Sequence, residues 1–290
     1  MKILVTGGAG FIASHIVDAY RKAGHKVVVI DNLSHGSRKN IPAGVKFYKA
    51  DIRDARAMER IFKRERPEAV NHHAALISVR ETGGMLETNT IGTMNVLEAF
   101  AKYGSGKKKK FIFPSSAAVY GDPKQIPTKE TAPTSPISVY GLSKLLAEHF
   151  IGLYAAKYGF DYIIFRYANV YGLRQQGGVI PIFARAMKAD KKVSIFGNGN
   201  ETRDYLHVSD VVRANLLALH RGRNEILNLG TGKQTEGKKV FELIARKLDY
   251  KAKPAYAPRG KAEIKKSALF PGKAKKILAW KPRVKFEKGI

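Results

Sequence analysis

The sequence predicts an α/β fold: a doubly wound parallel sheet followed by a smaller mixed α/β C-terminal domain. Three observations carry this. Apolar runs of strand length alternate with amphipathic helical segments over residues 1–170. The first strand runs into a glycine-rich turn, TGGAGFIA, that opens a helix. Beyond about residue 170 the alternation loosens into short strands, helices and Pro/Gly-rich joints. Continuous apolar strands separated by amphipathic helices call for a parallel sheet covered on both faces and wound right-handed.

The elements follow in order. KILVT (2–6) is an apolar, β-rich run, and residues 11–23 carry apolar positions at helical spacing until Gly24. VVVI (27–30) and VKFYKA (45–50) are strands, a helix is expected around 54–64, and EAVNHHAA (68–75) is the next strand. Residues 87–103 and 138–158 read as helices flanking the strand KFIFPSS (110–116), and DYIIFRY (161–167) closes the series. Downstream, strands at 193–196 and 225–229 mix with helices at 180–189, 209–220 and 236–247. The expected division is residues 1–170, rejoined by about 203–230, against a smaller domain over 171–290. No closing helix is expected after FEKGI.

Composition narrows the function classes. Hydrophobic residues make up 44% of 290, enough to bury a full core. No apolar run reaches membrane-spanning length, and MKILVTGGAG lacks the apolar stretch and cleavage site of a signal peptide. The absence of cysteine excludes disulfides, thiolate metal sites and cysteine nucleophiles. A cytoplasmic protein fits. Fifty-two Lys+Arg against 24 Asp+Glu give a net charge of +28. That charge suits nucleic acid, steering of an anionic substrate, or a basic solvated surface. The last is preferred and nucleic acid is not expected, because the cations are spread along the chain without interleaved aromatics.

The first βα turn contains Gly8-x-Gly10-x-x-Ala13, and equally Gly7-x-x-Gly10-x-x-Ala13. Glycines there let the backbone turn tightly and approach a pyrophosphate held at a helix N-terminus, and a small last residue lets the helix pack on the sheet. Asp31 ends the second strand. An acidic residue at that point accepts hydrogen bonds from the adenosine ribose and repels a 2′-phosphate, which favours NAD over NADP.

Tyr140 and Lys144 lie four residues apart in VYGLSK, on one face of a helix. An enzyme that removes hydride from an alcohol also needs a base for the hydroxyl proton. A free tyrosine, with a pKa of about 10, is too weak near neutrality, and lowering it to about 7 takes roughly 4 kcal/mol. A lysine ammonium one turn away favours the phenolate. SSAAVYG (115–121) supplies Ser115 and Ser116 just after the fifth strand, where doubly wound folds bind ligands. Ser116, Tyr140 and Lys144 are therefore expected to converge.

These motifs, with DNLS (31–34), Asp51-Ile52, HHAA (72–75) and RYANVYG (166–172), resemble the extended short-chain dehydrogenase/reductase family, built on the Rossmann fold. Within it the likeness is to the UDP-glucose 4-epimerase branch and runs over nearly the whole chain, through IFGNGNETRDYLHVSDVVRA (195–214), LNLGTGK (227–233) and the final basic segment. The resemblance implies roles. Gly7, Gly10, Phe11 and Ile12 would hold the pyrophosphate of NAD, Asp31, Asn32 and Ser34 its adenosine ribose, and Asp51 and Ile52 the adenine. Ala74, Ala75 and Asn89 would line the nicotinamide side. Tyr140 would be the base, Lys144 its partner and ribose ligand, and Ser116 the anchor of the substrate hydroxyl. Asn169, Arg203 and Arg259 would bind the diphosphate of a UDP-sugar, with Ile195 and Phe196 around uracil. A homodimer through helices 87–103 and 138–158 is implied too. His72, His73 and His207 resemble no metal set.

The branches are sorted by the residues after Ser116. Related 4,6-dehydratases carry an Asp-Glu pair there and UDP-glucuronate decarboxylases a Glu, whereas this chain has Ala117 and Ala118. The branch that makes GDP-fucose uses a cysteine, and there is none. Oxidation and re-reduction at one carbon remain, with NAD kept bound throughout. Position 13 is Ala where the family usually has Gly, and the loops at 74–80 and 174–181 are short, which bears on sugar choice. Ser267 falls where a bulky residue would narrow the sugar pocket, so N-acetylated hexoses are expected to fit. Epimerisation of UDP-glucuronate or a UDP-N-acetylhexosamine, or a non-catalytic NAD-binding regulator, are the alternatives at this point.

Overall fold

The computed structural model describes residues 1–77, 83–106, 108–258 and 264–290. Seven parallel strands form one sheet, in the order β11-β6-β5-β4-β1-β2-β3. They are β1 (Lys2–Thr6), β2 (Lys26–Asp31), β3 (Lys46–Lys49), β4 (Ala69–His72), β5 (Lys110–Ser116), β6 (Asp161–Tyr167) and β11 (Glu225–Leu229). The order reverses between β1 and β4, which opens a crevice at the strand C-termini, where such sheets bind ligands. Strand side chains alternate between faces. Ile3, Val5, Val29, Ile112, Ile163 and Phe165 enter one core, and Leu4, Ile30, Val70, Phe111, Phe113 and Ile164 the other.

Helices α1 (Phe11–Lys22) and α6 (Val208–Ala218) cover the first face, and α2 (Ala55–Glu65), α3 (Gly92–Tyr103) and α4 (Val139–Tyr158) the second. The caps are legible in the residues. Asp54 accepts from the Ala57 amide at 2.9 Å to start α2, and Ser138 accepts from the Gly141 amide at 3.1 Å to start α4. Such caps are worth about 1 kcal/mol each. The helix expected over 87–103 begins as a π-helical stretch, Glu87–Ile91, and becomes α-helical from Gly92.

A third cluster, with Tyr171, Phe183, Met187, Tyr205, Phe241 and Ile244 among its members, gathers around α5 (Val179–Lys188) and α7 (Gly237–Leu248). Short strand pairs lie in this half: β7 (Asn169–Tyr171) with β10 (Tyr205–His207), β8 (Ser194–Phe196) with β13 (Ala255–Ala257), and β9 (Thr202–Arg203) with β12 (Thr235–Glu236).

Beyond the division expected at residue 170, Ala274 and Leu278 of α8 (Gly272–Leu278), and Trp280, pack in the first core. The Trp280 indole donates to the Asp210 carbonyl at 2.9 Å, and the Asp210 carboxylate accepts from the Arg283 and Val284 amides, which fastens this segment to α6. FEKGI itself includes a helical turn, Phe286–Gly289, whose Phe286 stacks on Tyr205 at 4.7 Å. Trp280→Ala is expected to cost roughly 3–5 kcal/mol, read as a lower urea midpoint.

Candidate active site

The site is assembled where β5 meets the start of α4. Ser116 ends β5 and caps the 3₁₀ turn Ala117–Tyr120, its hydroxyl accepting from the Ala118 amide at 3.2 Å. The Ser138 cap places Tyr140 in the first turn of α4. Gly141 permits the approach of the two elements, since a Cβ there would lie 2.6 Å from the Ala118 carbonyl oxygen. The result brings the Ser116 hydroxyl to the half-buried Tyr140. One turn on, Lys144 is buried; its ammonium donates to the Pro114 carbonyl at 2.9 Å and lies 4.6 Å from the Phe113 ring and 6.0 Å from that of Tyr140. The three residues expected to converge do so.

The electrostatics differ from expectation. Burial pushes the Tyr140 phenol up rather than down, and the neighbouring Ser116 hydroxyl offsets part of that. Burial also pulls Lys144 down to about 7, against the raising effect of Glu148. One apolar surround disfavours both charged forms, phenolate and ammonium. Desolvation sets the direction of the Tyr140 shift, and the lowering expected from Lys144 is not among its causes.

The phosphate loop closes the other side of the crevice. Gly7 has φ +65°, and a Cβ there would lie 2.6 Å from the Ala74 amide nitrogen. Gly10 precedes α1, whose start has no side-chain cap and no acidic residue in its first turn. Phe11 and Ile12, in that turn, are half-buried. This bare, positively polarised helix start fits a pyrophosphate. Asp31 is buried at the end of β2; one carboxylate oxygen accepts from the Ala9 amide at 2.9 Å and the other from the Leu33 amide at 2.7 Å. Lone pairs remain for two ribose hydroxyls. These residues fit NAD.

The remaining expected residues are placed unevenly. Asn32 and Ser34 are exposed beside Asp31, and Asn32 donates to Asp51 at 3.0 Å. Arg53 forks onto Asp51 at 3.0 and 2.8 Å and holds its carboxyl down to about 2. The Asp51 side chain is thus engaged by Arg53, which the sequence reading passed over, and Ile52 is buried in the second core. Ala74 and Ala75 are half-buried in the segment after β4. Asn89 is buried and spends its amide on Leu76 and on Ser143 of α4, so it fixes the segment after β4 through its side chain.

On the substrate side Asn169 opens β7 and is exposed, and Arg203 lies in β9, donating to the Thr202 carbonyl at 2.9 Å. Neighbouring Asp204 is buried, accepting from Thr231, Gly232 and Leu269, and anchors those loops. Ile195 and Phe196 point to opposite faces, as successive strand residues must. Ile195 is buried in the third core and Phe196 is exposed. Ser267 is buried beside Thr202, whose carbonyl accepts from its amide at 3.2 Å. Arg259 lies outside the described residues, as do Ser78 to Arg80 of the short loop.

His72 and His73, read in the sequence as packing or cofactor-neighbour residues, lie in the bed beneath the crevice, whose Thr6 and Thr93 that reading passed over. His72 is fully buried between Thr6 (2.6 Å) and Thr93 (2.9 Å), and Thr6 accepts from the Ala74 amide at 3.2 Å. His73 packs against the Tyr167 ring, and His207 caps α6. Among the described residues no group of His, Asp and Glu is placed to hold a metal.

A doubly wound sheet with a bare phosphate loop, an acidic residue ending β2 and a Ser-Tyr-Lys cluster defines a dinucleotide-dependent enzyme of the short-chain dehydrogenase/reductase type. A sequence profile described as the NAD dependent epimerase/dehydratase family matches residues 3–230. The chain belongs to this family. It is 35% identical over 304 residues to a UDP-glucose 4-epimerase of Mycolicibacterium smegmatis, covering 100% of this chain and 96% of that one. It is similar to the crystal structure of the Thermotoga maritima UDP-glucose 4-epimerase with UDP-glucose (TM-score 0.96, 45% identity, 100% and 96% covered). The Thermus thermophilus UDP-glucose 4-epimerase complex with NAD is similar as well (TM-score 0.93, 37% identity, 100% and 96% covered).

Burial holds His72 neutral, with its pKa lowered from 6.5 to about 3. The unfolded chain takes up this proton as pH falls below 6.5 and the folded chain does not, so stability declines toward pH 3. In a thermal-melt series, His72→Asn is expected to show a shallower dependence of Tm on pH over that range than the unaltered protein.

Proposed function

We propose that this protein inverts carbon 4 of a UDP-hexose, interconverting UDP-glucose and UDP-galactose through a 4-keto sugar. The observation that carries the reading is the Ser116–Tyr140–Lys144 cluster, at the open end of the sheet beside the phosphate loop, with Ala117 and Ala118 in the turn that follows. The cluster moves one proton, and that turn offers no carboxylate side chain to move a second. NAD, when bound, accepts the hydride from carbon 4 and supplies it again.

Every other step belongs to the chain. Tyr140, as phenolate, takes the proton of the 4-hydroxyl and later gives it back. Ser116 holds that oxygen. Lys144 stabilises the phenolate and meets the cofactor ribose. Gly7, Gly10, Phe11, Ile12 and Asp31 hold NAD, with Asn32 and Ser34 at the ribose, residues 51–52 at the adenine, and Ala74 and Ala75 toward the nicotinamide. Asn169, Arg203 and Arg259 grip the UDP diphosphate while the ketosugar turns over, so binding energy remote from carbon 4 retains the intermediate. Phe196 packs against uracil.

We place the enzyme in the cytoplasm; among the described residues no helix is long and apolar enough to cross a membrane. A homodimer is proposed through the outer faces of α4 and of the helix that runs from the π-helical stretch Glu87–Ile91 into α3, where Leu142 and Leu153 of α4 and Ile91 of that stretch are exposed. Light scattering is expected to return twice the chain mass, and a monomer at micromolar concentration would remove this part of the proposal.

Incubated with UDP-galactose and NAD, the purified protein is expected to generate the anomeric proton signal of UDP-glucose by NMR. Tyr140→Phe should lower the rate by roughly 10²–10⁴-fold with the fold intact. Unchanged turnover in that variant would remove Tyr140 as the base.

A further inference from the structure

Behind Lys144 lies a buried ionic network that the reaction described above does not use. Glu148 follows Lys144 by four residues on α4, as Lys144 follows Tyr140, so the three share one helix face. The Glu148 side chain is 3% exposed and that of Arg166, on β6, is 5% exposed. Arg166 forks onto Glu148, Nε to Oε1 at 3.0 Å and an Nη to Oε2 at 2.6 Å. Ser115 donates to Glu148 Oε1 at 2.5 Å, while its neighbour Ser116 accepts from the Ala118 amide. The other Arg166 Nη donates to the Tyr120 hydroxyl at 2.9 Å, that hydroxyl donates to Asn228 at 2.8 Å, and Asn228 donates to the Thr128 carbonyl at 2.9 Å. One carboxylate is thereby fixed from β5, β6 and, through Tyr120, β11.

We propose that Glu148, clamped by Arg166 and Ser115, is a positioning residue of the active site, whose immobile carboxylate keeps Lys144 charged and aligned one turn from Tyr140. The proposal rests on the function given above, because only a reaction that uses the Lys144 ammonium needs it. A buried ion pair adds little net stability over apolar residues of the same volume, so packing alone gives no reason to bury one here. Its location does. The groups that face Lys144 are Tyr140 and Glu148 from α4, His72 at the end of β4 and His73 just after it, both histidines held neutral by burial and by the Lys144 charge itself. Arg166 is occupied by Glu148 and Tyr120. Glu148 is the anion of this set, and it opposes the desolvation that draws Lys144 toward the neutral amine.

The test follows the Lys144 amine directly, by NMR of protein carrying ¹³C/¹⁵N-labelled lysine, with the signal assigned through Lys144→Arg. In Glu148→Gln, and in the double variant Glu148→Gln/Arg166→Met, the amine is expected to titrate about one pH unit lower than in the unaltered protein. The alkaline limb of kcat/KM should move down with it. The double variant buries no unpaired charge and should recover thermal stability lost by the single one, so it decides the matter if Glu148→Gln folds poorly. A double variant with restored stability and an unmoved lysine titration would overturn the proposal and leave Glu148 a structural residue. Failure of the unaltered protein to turn over any UDP-hexose would count against the proposed function, and the lysine titration would still be read separately.

Discussion

The active site depends on how closely the start of α4 approaches the turn that follows β5. Gly141 lets the helix start sit against the Ala118 carbonyl, where any larger residue would collide with backbone. That contact puts a residue of the first helical turn within reach of a serine at a strand end, though 24 residues separate Ser116 from Tyr140. The Ser138 cap and the Lys144 bond to Pro114 then hold the helix at both ends of its first two turns. The phosphate loop, the bed of Thr6, His72 and Thr93, and the Asn89 clamp all serve the same crevice from β1, β4 and the start of α3.

Burial there is costly in two directions at once. The apolar wall that excludes water opposes ionisation of the Tyr140 phenol and protonation of the Lys144 amine alike. What restores the useful charges must be local and fixed: a serine hydroxyl for the phenol, and a carboxylate with its own counter-ion for the amine. Groups held in place need no reorganisation when charge develops, which is why preorganised dipoles and ions are effective in a dry site.

Much of this was legible in the residues. Alternating apolar runs give the sheet and its helices, because burial on both faces leaves few other arrangements. TGGAGFIA and Asp31 could be read because the backbone geometry they serve is tied to residue type. Tyr140, Lys144 and Ser116 could be read because their chemistry is unusual as a set. Which of Ile195 and Phe196 faces inward was not legible, because adjacent strand residues face opposite ways and the third core they meet has no simple period. That Arg53, two residues on, engages Asp51 was not read from the residues. Glu148 and Arg166 lie 18 residues apart and meet only through tertiary packing, although the four-residue step from Lys144 was there to be seen. The role of Trp280 was hidden because its partner, Asp210, is 70 residues away.

That separation bears on how the protein is made. The face of the sheet covered by α1 and α6 is not sealed until Leu278 and Trp280 reach it. β11 cannot join β6 before the intervening segment, with its own third core, has been traversed. During synthesis the N-terminal strands and the opposite face can condense early, since α2, α3 and α4 are all complete by residue 158. The dinucleotide crevice would then be outlined on the ribosome while one flank of its sheet still exposes apolar surface. An interrupted chain of about 270 residues would carry the whole Ser116–Tyr140–Lys144 cluster and still present that flank to chaperones and proteases.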